Sequence, residues 1–322
     1  MLNELVEGRY GLHIRHMACI EEHFGTRLFR IEADRGIYLM KTFPLDRAHV
    51  EREGHLTEHL HACGIPVASH LRAIDGTYVT RTPTMQFHLQ TFIEGTTPAV
   101  NTASHWLLDK SARLLGRIQH ALRDDPQLDT AFDAGFFAPS MDLDARLHFE
   151  QQLATASDAG NAALEREIGE RLAHLHRISA FSFDTDRMTY VNSHGDYYLG
   201  QLLVDGQCIT VIDWSSAARL PACFEVFMSY AYADPGCRDG EIRIDGFRRY
   251  CDAYLAHAPV ALSDEDLRMM PFFLYRYLCF CSFTPPYDEV PGAYRSICTL
   301  SNNLMNWLHE HAEQLSDALR RG

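Results

Sequence analysis

Polar and apolar positions change their period once along the chain, at about residue 95. Before that point, strand-like patterning predicts segments at Tyr10 to Ile20, Thr26 to Ala33 and Gly36 to Phe43, with turns at Glu22 to Gly25 and at Asp34 to Gly36. Short connections of this kind join antiparallel neighbours. Val50, Leu56 and Leu60 then fall at helical spacing, which predicts one helix from Asp46 to Cys63, stopped by Gly64 and Pro66. Extended runs follow at Ala68 to Ala73 and at Tyr78 to Phe92, the second leading into Ile93-Glu94-Gly95.

From Thr96 onward the apolar residues recur at three and four. Helices are predicted at Trp106 to Leu122, Met141 to Ala156, Ala162 to Ile178, Cys223 to Ala233, Gly246 to Ala256, Asp264 to Phe283 and Ala293 to Leu315. One β-rich island interrupts them: Gln201 to Val204, the turn Asp205-Gly206, and Cys208 to Ile212, ending on Asp213-Trp214. Strands and helices are thus segregated, an α+β pattern. A chain of 322 residues exceeds the usual size of one core. The expected division is a small antiparallel β lobe with one helix at 1–93 and a larger, mainly helical lobe at 94–322.

Composition narrows the classes. Hydrophobic residues make up 46% and charged residues 22%, an ordinary globular balance. A net charge of −14 argues against phosphate-backbone binding to nucleic acid and favours a cationic or neutral partner. The start, MLNELVEGRY, lacks a basic and then apolar leader, and the apolar stretch Met269 to Phe283 is too short to span a membrane and carries Arg276. These features point to a cytoplasmic location. The nine cysteines form no Cys-x-x-Cys pair, which fits buried free thiols in a reducing compartment. Of 29 basic residues only two are lysines, Lys41 and Lys110. Lys110 falls on a solvated helix face. Lys41 sits inside an apolar strand, where a compact ammonium on a flexible stem reaches differently from a planar guanidinium.

The richest chemistry lies in Val191-Asn-Ser-His194-Gly-Asp196-Tyr-Tyr-Leu-Gly-Gln201-Leu-Leu-Val204, followed by Val211-Ile-Asp213-Trp214. Phosphoryl transfer needs one carboxylate at the acceptor hydroxyl and metal-held oxygens at the transferred phosphate. Two carboxylates set apart by a hairpin supply that pair. The segment resembles the catalytic and metal-binding segments of the aminoglycoside phosphotransferase-like small-molecule kinases, a family that includes choline kinase-type enzymes. The resemblance implies a protein kinase-like two-lobe fold, ATP and Mg2+ as cofactors, and a small-molecule hydroxyl acceptor. It implies Asp196 as catalytic base, His194 holding the loop around it, and Asp213 with Gln201 on magnesium. Gln201 stands where the family most often has asparagine, and is similar in context to the glutamine of maltokinases.

The same resemblance covers the first lobe. It implies that Lys41 pairs the nucleotide phosphates, that Glu53 steadies Lys41 while Glu51 is out of phase, and that Gln90, Phe92 and Ile93 form an adenine-binding hinge. The loop at Ile20 to Thr26 carries only Gly25, so a glycine-rich fingerprint is lacking.

Two other readings compete. A nucleotide-binding pseudokinase or scaffold is suggested by Gln201 and the glycine-poor loop. A zinc hydrolase is suggested by His55-Leu-Thr-Glu58-His59, which matches His-x-x-Glu-His, although chance juxtapositions are expected among 18 histidines. For the acceptor, Tyr197, Tyr198, Tyr230 and Asp234, with Tyr275 and Tyr277, are the candidate contacts. Sugar, amino alcohol, hydroxy amino acid and aminoglycoside all remain open, as do GTP in place of ATP and the oligomeric state.

Overall fold

The structure is a computed structural model and describes residues 2–23, 25–45, 50–126, 128–132, 135–280 and 292–321. In chain order its elements are α1 (Leu2–Tyr10), β1 (Ile14–His23), β2 (Thr26–Ala33), β3 (Gly36–Phe43), α2 (Val50–Ala62), β4 (Val79–Arg81) and β5 (Gln86–Thr91). There follow α3 (His105–Leu122), α4 (Pro139–Asp158), α5 (Ala162–Ile178), β6 (Tyr190–Ser193), β7 (Leu202–Asp205), β8 (Cys208–Val211), β9 (Ala218–Pro221), α6 (Ala222–Ala231), α7 (Ile244–Leu255), α8 (Asp264–Phe280) and α9 (Gly292–Arg320). They form two compact units, one of residues 1–98 with 201–216, the other of 99–200 with 217–322. The β7–β8 hairpin, which the sequence-based division counts with 94–322, thus groups with the first unit.

In the first unit an antiparallel sheet runs β1-β2-β3-β5-β4. Alternation decides what each face carries. On one face Ile31, Met40, Phe87 and Leu89 pack with Val6 and Tyr10 of α1. Each such side chain taken fully out of water contributes about 1.5–3 kcal/mol. On the other face Lys41 lies opposite His88, and Leu39 opposite Gln90. The β7–β8 hairpin joins this unit through an isolated bridge between Val67 and Val211 and another between Thr96 and Val204.

The sequence reading differs from this unit in three places. Tyr10, expected to open a strand, ends α1, because Gly11 turns the chain and returns its amide to the Glu7 carbonyl at 2.8 Å. The run Tyr78 to Phe92 breaks into β4 and β5 around Pro83, where Thr82 Oγ1 accepts the amides of Thr84 and Met85. Ala68 to Ala73 is no regular strand, yet Leu71 donates to Leu89 O and Thr91 to Ser69 O. The expected helix start at Asp46 lies outside the described residues.

Among its described residues the second unit is helical apart from the antiparallel pair β6–β9, which the sequence reading missed because four-residue strands carry too little periodicity. All ten residues of α6 are buried. Helices α3 and α7 pack together, as do α4 with α5 and α8 with both α6 and α9. Among the described residues, Cys223, Cys237, Cys251 and Cys279 are buried free thiols, whereas Cys19, Cys63 and Cys208 are exposed, against expectation. Cys19 lies on the sheet-edge strand β1 and Cys208 at the tip of the β7–β8 hairpin, where nothing in the topology covers them.

Candidate active site

Lys41 is fixed by register. Its ladder partner His88 shares its face, and its ammonium Nζ lies 3.1 Å from Asp213 Oδ1. Asp213 follows the end of β8 and has φ of 56°, in the left-handed region that few side chains other than Asn and Asp tolerate. A non-glycine residue there costs of order 1–3 kcal/mol, so the surrounding structure must over-determine it. Ser215 Oγ donates to the same Oδ1 at 2.9 Å. Across the hairpin, Ile212 N–H donates to Gln201 O at 3.0 Å, which places Gln201 beside the strand end that carries Asp213. A carboxylate and an amide oxygen at one hairpin end are oxygen donors of the type that hard dications take.

Helix α2 brings Glu53 to the same face. Glu53 is buried and lines a small cavity with Lys41, His70, His88, Gln90 and Asp213. Glu51 is spent elsewhere, its two oxygens accepting the amides of Tyr78 and Val79 at 2.8 and 2.9 Å. The helix can approach Tyr78 because residue 54 is glycine, since a Cβ there would lie 2.2 Å from the Tyr78 ring.

At the end of β5, Phe92 N–H donates to Ile37 O at 3.0 Å and its ring lies under Arg30. Among the described residues, the Ile93 N–H and C=O take no hydrogen bond within the protein. They are free backbone groups of the kind that a planar heterocycle can pair with. Gln90 lies opposite Leu39 and lines the cavity.

The His194-Gly-Asp196 loop belongs to the second unit and follows β6. Gly195 has φ of 83°, which a side chain would resist. Asp196 N–H donates to Nδ1 of the fully buried His194 at 3.3 Å. Beneath the loop lies Glu225 of α6, wholly inaccessible to water, with Oε1 accepting the Tyr197 amide at 3.2 Å. Burial pushes the Glu225 carboxyl up to about 7, against the lowering effect of the Ser193 hydroxyl and the Tyr197 and Gly195 amides. Gln119 Nε2 donates to Ser193 Oγ at 3.1 Å, and Tyr254 OH donates to Gln119 Oε1 at 2.5 Å. A buried polar chain from α7 through α3 therefore ends on the loop that presents Asp196.

The candidate acceptor residues differ in access. Tyr197 is 1% exposed and donates its hydroxyl to Ser111 O. Tyr230 is buried and donates to Asp234 Oδ2 at 2.5 Å. Burial raises the Asp234 carboxyl, but Tyr230, the Gly236 amide and Arg243 outweigh it and hold the group below its usual range. Tyr230 and Asp234 border a cavity of about 720 Å3, together with His105, Asp109, Arg243 and Arg249. Tyr198 is half-buried and meets Tyr232 edge-on. Tyr275 pairs with His174, and Tyr277 packs on Phe224.

The His-x-x-Glu-His residues do not converge on a shared point. Glu58 holds Arg72 through both oxygens, His55 stands edge-on to Tyr78, and His59 lies 3.7 Å from Cys63 Sγ. None of the three belongs to a ligand cluster among the described residues.

Sequence reasoning missed Glu225, His70 and His88. Glu225 is the one charged residue in the apolar run Ala222–Ala231, and a charge in an all-round buried helix signals a polar partner. Gln86, His88 and Gln90 alternate with Phe87 and Leu89, the ordinary period-two pattern of a sheet with one apolar face, so nothing in the sequence marks His88 as buried.

The chain is similar in fold to several solved structures of low identity. A spectinomycin phosphotransferase in complex with ADP and spectinomycin matches at TM-score 0.65 and 14% identity, over 97% of this chain and 98% of that one. An aminoglycoside phosphotransferase from Alicyclobacillus acidocaldarius matches at 0.62 and 15%, over 98% and 97%. A microcompartment-associated aminopropanol kinase matches at 0.60 and 15%, over 98% of each chain. These likenesses establish the kinase-like α+β fold expected from the sequence. Comparison with curated protein sequences finds no match. The model of the phosphotransferase enzyme family (APH) matches residues 20–260, most of the length of the chain, and the protein belongs to that family.

Proposed function

We propose that the protein is an ATP-dependent kinase that moves the γ-phosphoryl group to a hydroxyl of a small molecule. The observation that carries this reading is the Lys41–Asp213 ion pair, 3.1 Å long, at a strand end where Asp213 holds a strained backbone. Membership of the family supports the reaction class. In this reading Lys41 pairs the nucleotide phosphates, Glu53 steadies it, and Gln90, Phe92 and Ile93 receive the adenine. Asp213 and Gln201 are the residues that would hold Mg2+, which when bound neutralises charge on the phosphates. Asp196 takes the acceptor proton, and His194 and Glu225 hold its loop. A general base must be aimed, and a loop anchored by buried hydrogen bonds to His194 and Glu225 is an aimed one.

Sugar, amino alcohol, hydroxy amino acid and aminoglycoside are the acceptor classes to test, with contacts from Tyr198, Asp234 and the neighbourhood of Tyr197 and Tyr230. The net charge of −14 favours a cationic member of that set. No described helix is long and apolar enough to cross a membrane, and we place the protein in the cytoplasm. We assign the nucleotide to the unit of 1–98 with 201–216 and the acceptor to the unit of 99–200 with 217–322. Acceptor-dependent ADP release over a panel of hydroxylated metabolites and aminoglycosides tests the proposal. Magnesium-dependent nucleotide binding without turnover on any of them would favour a pseudokinase instead.

A further inference from the structure

Among the described residues, one group of side chains has the donors and spacing to hold a transition metal: Glu53, His70 and His88. One carboxylate oxygen and one nitrogen from each histidine lie within 4.8 Å of one another. We infer that this cluster binds a single dication of the zinc class (Zn2+, Co2+ or Ni2+), through a ligand set different from Asp213 and Gln201, the oxygen ligands assigned to magnesium.

Spacing is the first argument. His70 Nε2 and His88 Nδ1 are 3.1 Å apart, close to the roughly 3.4 Å between two nitrogens that each stand about 2.0–2.1 Å from one tetrahedral ion. Tautomer is the second. Thr57 Oγ1 lies 3.0 and 3.1 Å from the Glu53 and Gly54 carbonyls and 2.7 Å from His70 Nδ1, and in the arrangement where its hydroxyl donates to a carbonyl it accepts from Nδ1. That places the His70 proton on Nδ1 and leaves Nε2 with its lone pair directed at the cluster. Metal-bound histidines are oriented by a hydrogen bond from the far nitrogen in this manner.

Rigidity and room agree with those two. His88 is 1% exposed in the middle of β5 with Phe43 edge-on to it, and the two imidazoles stand nearly perpendicular, at 79°. Glu53 is presented by α2, next to the turn that carries Thr57. The cavity they line has a volume of about 20 Å3, enough for one ion or water and far too small for a nucleotide. Two imidazoles and a carboxylate suit zinc-class ions, whereas Mg2+ prefers oxygen alone. Three protein ligands leave a fourth position open. The nearby charges on the other packed elements are Lys41 and Asp213, which pair with each other.

Occupancy engages Glu53. On the reading under Proposed function, Glu53 steadies Lys41, so a bound ion would lower phosphotransfer; that consequence rests on that reading, and the binding does not.

The test is a Co2+ titration of metal-stripped full-length protein, with excess Mg2+ present to fill oxygen sites, followed by visible absorption. One equivalent is expected to bind with a spectrum lacking thiolate charge transfer. Affinity is expected to fall at least about tenfold in His70→Gln and in His88→Gln, and about tenfold in Thr57→Val, which removes only the hydroxyl behind His70. His59→Ala, on the exposed helix face beside Cys63, is expected to leave it unchanged. Metal-free thermal midpoints confirm that the variants fold, and Thr57→Val decides the matter if both histidine variants do not. No Co2+ uptake by the native protein overturns the proposal, as does affinity that Thr57→Val and His70→Gln leave untouched.

Discussion

Lys41 and Asp213 are 172 positions apart in the chain and meet as an ion pair at 3.1 Å. One is brought by the ladder of β3, the other by the end of the β7–β8 hairpin. Replacing Lys41 with Met removes the cation without much change in volume. We expect kcat/KM for ATP to fall about 10²-fold or more, the scale set by removing one group that stabilises developing charge. Steady-state kinetics with the acceptor saturating checks this, and an unchanged value would dissociate Lys41 from the nucleotide.

Asp213→Asn keeps the Ser215 contact and the backbone geometry, since Asn also tolerates the left-handed region. It removes the charge a dication requires. Turnover is expected to collapse, and Mg2+ is expected no longer to strengthen nucleotide binding. Titrating nucleotide calorimetrically with and without Mg2+ reads this directly.

Glu225 provides a pH signature. In the native protein its carboxyl titrates at about 7, whereas the unfolded chain releases the proton near 4.5. Between those values the native state holds the extra proton, so stability falls as pH rises through the window, by about 3 kcal/mol over its full width. Glu225→Gln cannot titrate. The stability difference between native protein and Glu225→Gln, from urea unfolding at about pH 5 and about pH 8, is therefore expected to shift against the native protein at the higher pH. An equal difference at both would place the carboxyl outside that range.

Gly54→Ala would set a Cβ 2.2 Å from the Tyr78 ring inside a packed helix contact. Overpacking of this kind costs about 1–3 kcal/mol despite the better helix propensity of alanine. A lowered thermal midpoint is the expected result, with the displaced α2 carrying Glu53 away and raising KM for ATP.

What could be read in the sequence follows from how local each signal is. Lys41 stood out because lysine is so rare here, and the His194 to Asp213 segment because its residues are close in sequence. The β7–β8 turn at Asp205-Gly206 was legible for the same reason. His70 and His88 were not, because their juxtaposition needs β5 and the irregular segment after α2 to lie side by side. Glu225 lies 29 residues beyond Asp196 in sequence, and only the packing of α6 under the loop gives it a role. Helix α1 carried no clear apolar stripe, and its docking on the sheet is decided by Val6 and Tyr10.

Asp196 bears the central claim, and one comparison addresses it most directly: single-turnover phosphoryl transfer from labelled ATP in native protein and in Asp196→Asn, with nucleotide affinity measured on the same samples. The account predicts that transfer slows by about 10²–10⁴-fold while nucleotide affinity stays unchanged. Native-rate transfer by Asp196→Asn would contradict it.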